Sequence, residues 1–592
     1  MKYLRIPILL MLFGVLAMAA GGVSFRAVSV GRTVDDRPVV EWVAAHAVRL
    51  QTPDAGHGFA DMQPLKKMIG NARIVSLGEA THGTREFFQL KHRMLEFLAT
   101  EMGFTIFSIE ANMPEAYQLN DFVLNGKGDP AKLIKGMYFW TWDTQEVLDM
   151  VLWLREFNKS GKGRLQFTGF DMQVPEVAAG IVSDFVARSD PDYAASVRQA
   201  IEQSKNAAAA PNFGGATARL LVKGAAGKRL RISGYVKTEG VTPGFASLWG
   251  RVDGASGVLA GDSTQLRGGA TGTADWKKWE IEFPVGLDAT NIDFGVLLDG
   301  HGTVWFDSLA IEMDGKPYLD PSAPDLDFES PSPKGFFTYG NGYQVRVDAT
   351  VFNTGKQSLQ IKNAGAGPHD AKSVGPKLAS STWKDIVGHL EASREAYAKK
   401  GAAARDIEWV IQNARVVLQC MQSRADEVPR DRSMADNIKW IMDNNPRAKI
   451  VLWAHNGHVS TAIGGGNDPM GASLRKMYGG QMVVFGFAFN QGSFRALEQT
   501  SGFRDFTVPP APAGSLDATL AATGIPLFAL DLRDAPKSGP VAAWLSESHK
   551  TRSIGSMYSG DLAAQFLFEL KAPQSFDAML FVEKTTAARK NP

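Results

Sequence analysis

The chain has 592 residues, 44% hydrophobic and 21% charged, and its basic and acidic side chains cancel to a formal net charge of +1. That balance, with no basic run interleaved with aromatics, excludes a general grip on nucleic acid or another polyanion, and the length favours several domains over one. The single cysteine, Cys420, excludes an intrachain disulfide and reads as a small core residue in a helical run.

At the N-terminus, Lys2 and Arg5 precede an apolar stretch from Ile6 to Ala20, and Ala17-Met18-Ala19 has the small-x-small pattern that signal peptidase cuts after. Residues 1–19 are therefore expected to be a cleaved signal peptide and the mature protein to be periplasmic or secreted. The stretch is shorter than the roughly 20 apolar residues that cross a bilayer, so no stable membrane span is expected.

Residues 36–203 alternate short apolar runs, Ala72 to Leu77, Thr105 to Ile109 and Leu165 to Phe170, with longer stretches of helical period. Glu146 to Phe157 reads as a helix with Val147, Met150, Val151 and Leu154 on its apolar face. From 206 to 375 the rhythm becomes short alternating strands broken by glycine, such as Leu230 to Val236 and Thr303 to Ile311. This is an all-β module, expected as a β-sandwich of jelly-roll type. Its segments resemble galactose-binding-like strands in permuted order, or two incomplete copies.

From 378 to 592 the helical pattern returns over Trp383 to Arg424 and Ser433 to Asn444, followed by strand patterns at Lys449 to Trp453, Met482 to Phe487 and Ile525 to Leu532. The expected fold class is α/β, a mostly parallel sheet flanked by helices, interrupted by the jelly-roll-like insert. Insertions of this kind enter at surface loops.

Ionisable groups collect where the predicted strands end. Glu79 and His82 follow Ala72 to Leu77 in a glycine-bracketed turn, Glu110 follows Thr105 to Ile109, Asp171 follows Leu165 to Phe170, and His455 and His458 follow Val451 to Trp453. In a parallel sheet all of them converge on one rim, where α/β enzymes keep their chemistry. A lone strand-end acid is more often a solvated charge or a helix-start neighbour; two carboxylates and three histidines together favour an active site.

No G-x-S-x-G elbow, P-loop or strand-linked G-x-G-x-x-G occurs, so a serine nucleophile and a nucleotide cofactor are disfavoured. What remains is a histidine, oriented by a carboxylate, that takes a proton from water while other imidazolium or Lys groups stabilise the oxyanion that forms. The same residues could hold zinc or manganese for hydrolysis of a peptide or phosphoester, although no H-E-x-x-H spacing is present. They could also hold a ligand such as haem without catalysis. The favoured reading requires no cofactor and no metal.

Gly78-Glu79-Ala80-Thr81-His82-Gly83 with Glu86-Phe87 and Lys91, then Glu110-Ala111-Asn112, Tyr117, Trp140-Thr141-Trp142 and Trp153 to Asn158, resemble the erythromycin esterase family. Arg430-Asp431-Arg432-Ser433-Met434-Ala435-Asp436-Asn437 and Trp453-Ala454-His455-Asn456-Gly457-His458 resemble its later motifs. The resemblance implies a hydrolase that opens a lactone or cleaves an ester, with His82 activating water beside Glu79 and Glu110. By the same carry-over Lys91, His455, His458, Arg430 and Asp431 are substrate or oxyanion contacts. The expected partner is a small-molecule ester or lactone, with a glycan as a further candidate at the β insert. If residues 1–19 are removed on export, mass spectrometry of protein from the periplasmic or secreted fraction will find an N-terminus near Ala20; intact Met1 on cytoplasmic protein contradicts this.

Overall fold

The computed structural model describes residues 36–591 except 209–212, 221, 223, 255–256, 288, 319–323, 340–342, 364–375, 426, 463–467, 499–501, 557, 559–562 and 564–565. The expected signal peptide, 1–19, lies outside the described residues. Among those described, no helix is long and apolar enough to cross a membrane. The chain divides into two compact units, Thr33–Ser204 with Gly375–Pro592, and Lys205–Val374.

The first unit is built on a nine-stranded sheet. Its strands are, in chain order, β1 (Val48–Arg49), β2 (Ile74–Leu77), β3 (Ile106–Asn112), β4 (Gln166–Asp171), β5 (Ile450–Trp453), β6 (Met482–Glu498), β7 (Gly502–Val508), β8 (Leu527–Asp531) and β9 (Ala578–Thr585). In space they run β1-β8-β9-β6-β2-β5-β3-β4, with β7 on the far part of β6. From β9 to β4 every pairing is parallel, whereas β8 and β1 continue the edge antiparallel. All residues of β2, β3 and β5 are buried, as strands covered on both faces must be; this is why they read as unbroken apolar runs.

One feature of this order positions the candidate residues. β5, from the second half of the chain, pairs with β2 on one side and β3 on the other, with Trp453 level with both Leu77 and Ile109. Beyond that level the three strands release the segments carrying Glu79, His455 and Glu110 side by side. β3 runs on to Asn112, so Glu110 lies within the strand instead of after it.

The helix Gln145–Lys159 buries Val147, Met150, Val151 and Leu154, and the Thr144 hydroxyl accepts from Val147 N–H at its start. The helical pattern over Trp383 to Arg424 is not continuous. It forms Pro376–Ala392, Arg394–Lys399 and Ala404–Arg424, and Gly401 at φ +92° turns the chain between the last two.

The second unit is a ten-stranded antiparallel sheet around one hydrophobic core. Its organising strand, Arg229–Gly254, pairs through its first half with Gly302–Met313 and Ala270–Pro284, and through its second half with Ala289–Gly300 and Gly257–Ser263. Ser358–Asn363 joins Gly302–Met313, and Phe337–Tyr339 joins Phe213–Leu220. The stretch Asp327-Phe328-Glu329 is not a strand; Phe328 is buried at φ +58°.

The turn between β2 and the helix Arg85–Met102 is pinned by backbone: Gly83 O accepts from Arg495 N–H and Ala588 N–H, both at 2.9 Å. A Cβ on Gly83 would lie 1.9 Å from the Arg495 carbonyl oxygen. Gly83→Ala must therefore displace a paired strand, and denaturant unfolding should show a loss of about 1–3 kcal/mol; an unchanged midpoint would mean that the turn has room to move.

Candidate active site

Glu79 leaves β2 into a position with 0% exposure, where its carboxylate holds three donors. Oε1 meets His82 Nδ1 at 2.6 Å, and Oε2 accepts from Lys91 Nζ at 2.6 Å and from the Trp453 indole N–H at 2.7 Å. Burial acts to raise its pKa, but Lys91 and His82 outweigh that effect and hold it below the ordinary value. Lys91 is equally enclosed. Burial pushes its ammonium down to about 8 despite Glu79, and it sits 4.3 Å from the centre of the Trp453 ring. With no exposed surface, Lys91 is placed to position and neutralise Glu79.

Two tiers of aromatic side chains floor this arrangement. Trp142 meets His82 edge-on at 6.2 Å and Trp453 at 5.4 Å, while Phe88 packs on Trp453 at 4.8 Å. Trp142 also donates its indole N–H to the Glu110 carbonyl at 2.9 Å. The His82 side chain keeps 13% exposure, so the ring is gripped on its Nδ1 side and reachable elsewhere. With the carboxylate accepting from Nδ1–H, the neutral ring presents Nε2 as an acceptor.

The Glu110 carboxylate sits in a second charged cluster. Its Oε1 accepts from Arg430 at 2.7 Å and its Oε2 from the His455 backbone N–H at 3.1 Å. Arg430, at the start of the helix Arg430–Asp443, also forks onto Asp171 at 3.0 and 2.7 Å. Burial would raise the Glu110 pKa; His458 and Arg430 overcome it and hold the carboxyl far below its usual range. A guanidinium shared by two buried carboxylates is the planar, multi-donor arrangement that arginine suits and lysine does not.

His458 Nδ1 faces Asp431 at 2.9 Å, and its Nε2 lies 3.1 Å from Arg430 and 3.4 Å from Glu110. Burial opposes its charge, yet Glu110 and Asp431 raise its pKa on balance. Asp431 also accepts from Met470 N–H at 2.8 Å. His455 is different. Its ring centre is 5.0 Å from that of His82, burial drives its pKa down to about 3, and its Nδ1 accepts from Gly457 N–H at 3.2 Å. The proton of this neutral ring is therefore on Nε2, and that buried N–H has no hydrogen-bond partner. An unsatisfied buried donor costs about 1–3 kcal/mol, which a substrate oxygen would recover.

All eight candidate residues thus lie in two linked clusters at one rim of the sheet. Glu79, His82 and Lys91 form one, and Glu110, Arg430, Asp431 and His458 the other, with His455 joining them. Among the described residues, no three His, Cys, Asp or Glu side chains are grouped as metal ligands; arginine, lysine and backbone donors already occupy most of the carboxylate oxygens. Two buried groups in or near these clusters had no sequence-based role. The Trp453 N–H on Glu79 depends on strand adjacency, which no local pattern reveals. Glu115 follows Glu110 by five residues, and its signal is weaker still, a lone acid in the first turn of the helix Met113–Asn125.

Glu115 is 3% exposed and neither carboxyl oxygen has a hydrogen-bond partner. Burial, with Glu176 and Asp171 adding repulsion, raises its pKa from 4.5 to about 8. Because the folded pKa lies above the unfolded one, this group favours folding fully only below the unfolded value and loses that contribution as pH climbs through the folded one. Glu115→Gln should therefore match the parent near pH 4 and exceed it increasingly toward pH 8, by on the order of 2 kcal/mol at neutral pH. Thermal melts across that range check it; a pH-independent difference refutes the buried acid.

The chain resembles known proteins in both sequence and fold. It is 33% identical over 135 residues to "Erythromycin esterase type II" of Escherichia coli, covering 22% of this chain and 31% of that protein. It is 30% identical over 193 residues to "Putative hydrolase YbfO" of Bacillus subtilis strain 168, covering 32% of this chain and 40% of that one. The matches therefore span well under half of either relative. Among solved structures, a Bacillus cereus protein aligns with a TM-score of 0.59 at 18% identity over 94% of this chain and 100% of its own. A mutant of the erythromycin esterase EreC in its open conformation aligns at 0.51 and 12% identity over 92% and 99%. Such low identities speak for the fold alone. The erythromycin esterase family model matches residues 99–231 and 350–585. Those stretches contain Glu110, Asp171, Arg430, Asp431, His455 and His458, with the Glu79–His82 turn just upstream. Since they make up more than half of the chain, the chain belongs to the erythromycin esterase family.

Proposed function

We propose that the chain is a carboxylic ester hydrolase that opens a lactone or cleaves an ester by attack of a water molecule that His82 deprotonates. The observation that carries this reading is the short Glu79–His82 contact beside the unpartnered Nε2–H of His455. Water gives its proton to His82 Nε2 as its oxygen bonds to the carbonyl carbon. Glu79 stabilises the imidazolium that forms, and Lys91 keeps Glu79 charged. The His455 Nε2–H donates to the developing oxyanion, a role that favours a neutral ring held in one tautomer. Collapse breaks the carbon–oxygen bond of the ester, and the proton on His82 passes to the leaving alkoxide. No serine nucleophile enters this scheme.

Arg430 and His458, partly exposed and backed by Glu110, Asp171 and Asp431, are suited to binding polar substrate groups next to the reacting carbonyl. The β insert carries none of these groups. We read it as a jelly-roll-like, galactose-binding-like module that contacts a glycan or a large substrate, a reading supported by its antiparallel, single-core architecture. Export by residues 1–19 would put this chemistry outside the cytoplasm.

The decisive measurement is turnover of a panel of aryl esters, simple lactones and macrolides, with and without chelator. His82→Gln should lower kcat by roughly 10²–10⁴-fold with an unchanged melt, and replacing the insert by a Gly/Ser linker should leave turnover of the smallest ester largely intact. Near-normal kcat in folded His82→Gln protein overturns the assignment of the base. Loss of small-ester activity in a cooperatively melting insert-free chain overturns the division of labour.

A further inference from the structure

A cavity of about 300 Å³ opens between the helices Arg85–Met102 and Gln145–Lys159 and the loop at residues 54–56. None of the residues of the two catalytic clusters lines it. Its polar lining is Asp54, Gln89, His92, Glu96, Glu146 and Asp149, four carboxylates and one imidazole.

An acidic lining alone would signify little, since such groups are commonly solvated or paired. Here the pairing is incomplete. Glu146 is held by Arg589 at 2.8 Å and Asp149 is 3.5 Å from the same side chain. Among the described residues Asp54 accepts from neutral donors, Gln89 and Thr52, and Glu96 from the Gly56 N–H at 2.8 Å. Glu96 is 4% exposed; Arg93 and His57 both act on it, and Arg93 is committed to Asp61 at 2.6 Å. Burial raises the Glu96 pKa on balance, the mark of a carboxylate short of cations.

His92 supplies the independent observation. It is 7% exposed, and its Nε2 is buried with no hydrogen-bond partner, 3.7 Å from Glu96 Oε1. Burial lowers its pKa to about 3, so the ring is neutral, and when the proton is on Nδ1 its Nε2 is an acceptor. Trp153 packs edge-on against the ring at 5.6 Å and fixes its plane. With the proton on Nδ1, the cavity presents a neutral nitrogen acceptor next to the incompletely paired carboxylates of Glu96 and Asp54, in a space large enough for a small organic molecule. Nothing in the lining would favour an anion.

We propose that this cavity is a second ligand site, separate from the catalytic rim, that binds a small organic ammonium ion through His92, Glu96 and Asp54. The three N–H bonds of a primary ammonium match these three acceptors, and the remaining polar lining suits a hydroxyl-bearing body. Both the charge and the donor count distinguish this ligand from a neutral polyol of the same shape.

The test uses the full-length protein and a matched pair of probes, 4-aminobutan-1-ol and butane-1,4-diol, which differ only in ammonium for hydroxyl. Titration calorimetry and ligand-observed NMR should show saturable binding of the amino alcohol and at least about tenfold weaker binding of the diol, a difference of one factor of ten per 1.4 kcal/mol. Glu96→Gln and His92→Phe should each weaken the amino alcohol by a similar factor. Asp149→Asn, at an exposed position, serves as a variant that keeps its fold and should give a smaller loss. Absence of saturable amine binding by the parent, equal binding of the diol, or affinity unaffected by Glu96→Gln and Asp149→Asn in folded protein each overturns the proposal.

Discussion

The wedging of Ile450–Trp453 between Ile74–Leu77 and Ile106–Asn112 is the constraint on which the rest of the site depends. The two flanking strands are near neighbours in the chain, and without the later strand Glu79 and Glu110 would stand beside each other with no histidine between them. Parallel pairing at a common level forces the His455 segment into that gap. The same strand ends in Trp453, whose indole binds Glu79 and whose ring carries Lys91. One four-residue strand and the two residues after it thereby supply part of the floor, an orienting donor and the neutral histidine.

The electrostatics follow a single logic. Isolated charges this deeply buried would neutralise themselves or unfold the protein. Glu79 is therefore matched by Lys91, and Glu110 and Asp171 by Arg430. These pairings leave two imidazoles in contrasting settings. His82 is tethered through Nδ1 to the Glu79 carboxylate, whereas His455, 5.0 Å away, is kept neutral by burial. Glu115 and His92 fall outside this scheme, each buried without a partner.

Much of the fold and of the site was legible because it is local. The buried parallel strands announce themselves as apolar runs, and Glu79 and His82, three residues apart in a strand-end turn, form the contact their spacing suggests. The insert is visible because its period-two pattern contrasts with the helical rhythm on either side. What could not be read depends on adjacency in space. Lys91 resembles a cleft residue in sequence, yet the helix face that carries it turns it wholly inward onto Glu79. The break of the Trp383 to Arg424 helix is a backbone event at Gly401 within an otherwise helical composition. The insertion order of β5, and with it every contact of Trp453, is a property of the whole sheet.

The anchoring of the Gly83 turn has a consequence for assembly of the protein. Gly83 is bonded to Ala588, Thr84 bridges to Ala587, and Glu86 accepts from Thr586 across a separation of 500 residues. The segment that carries His82 is made early in translation, but the backbone that clamps it emerges only when almost all of the remaining chain, including the β insert, has been synthesised. Closing so distant a contact is slow compared with local helix formation. During synthesis the turn must wait unclamped, so the geometry that joins Glu79 to His82 should be fixed well after the helices and the core of the insert are in place.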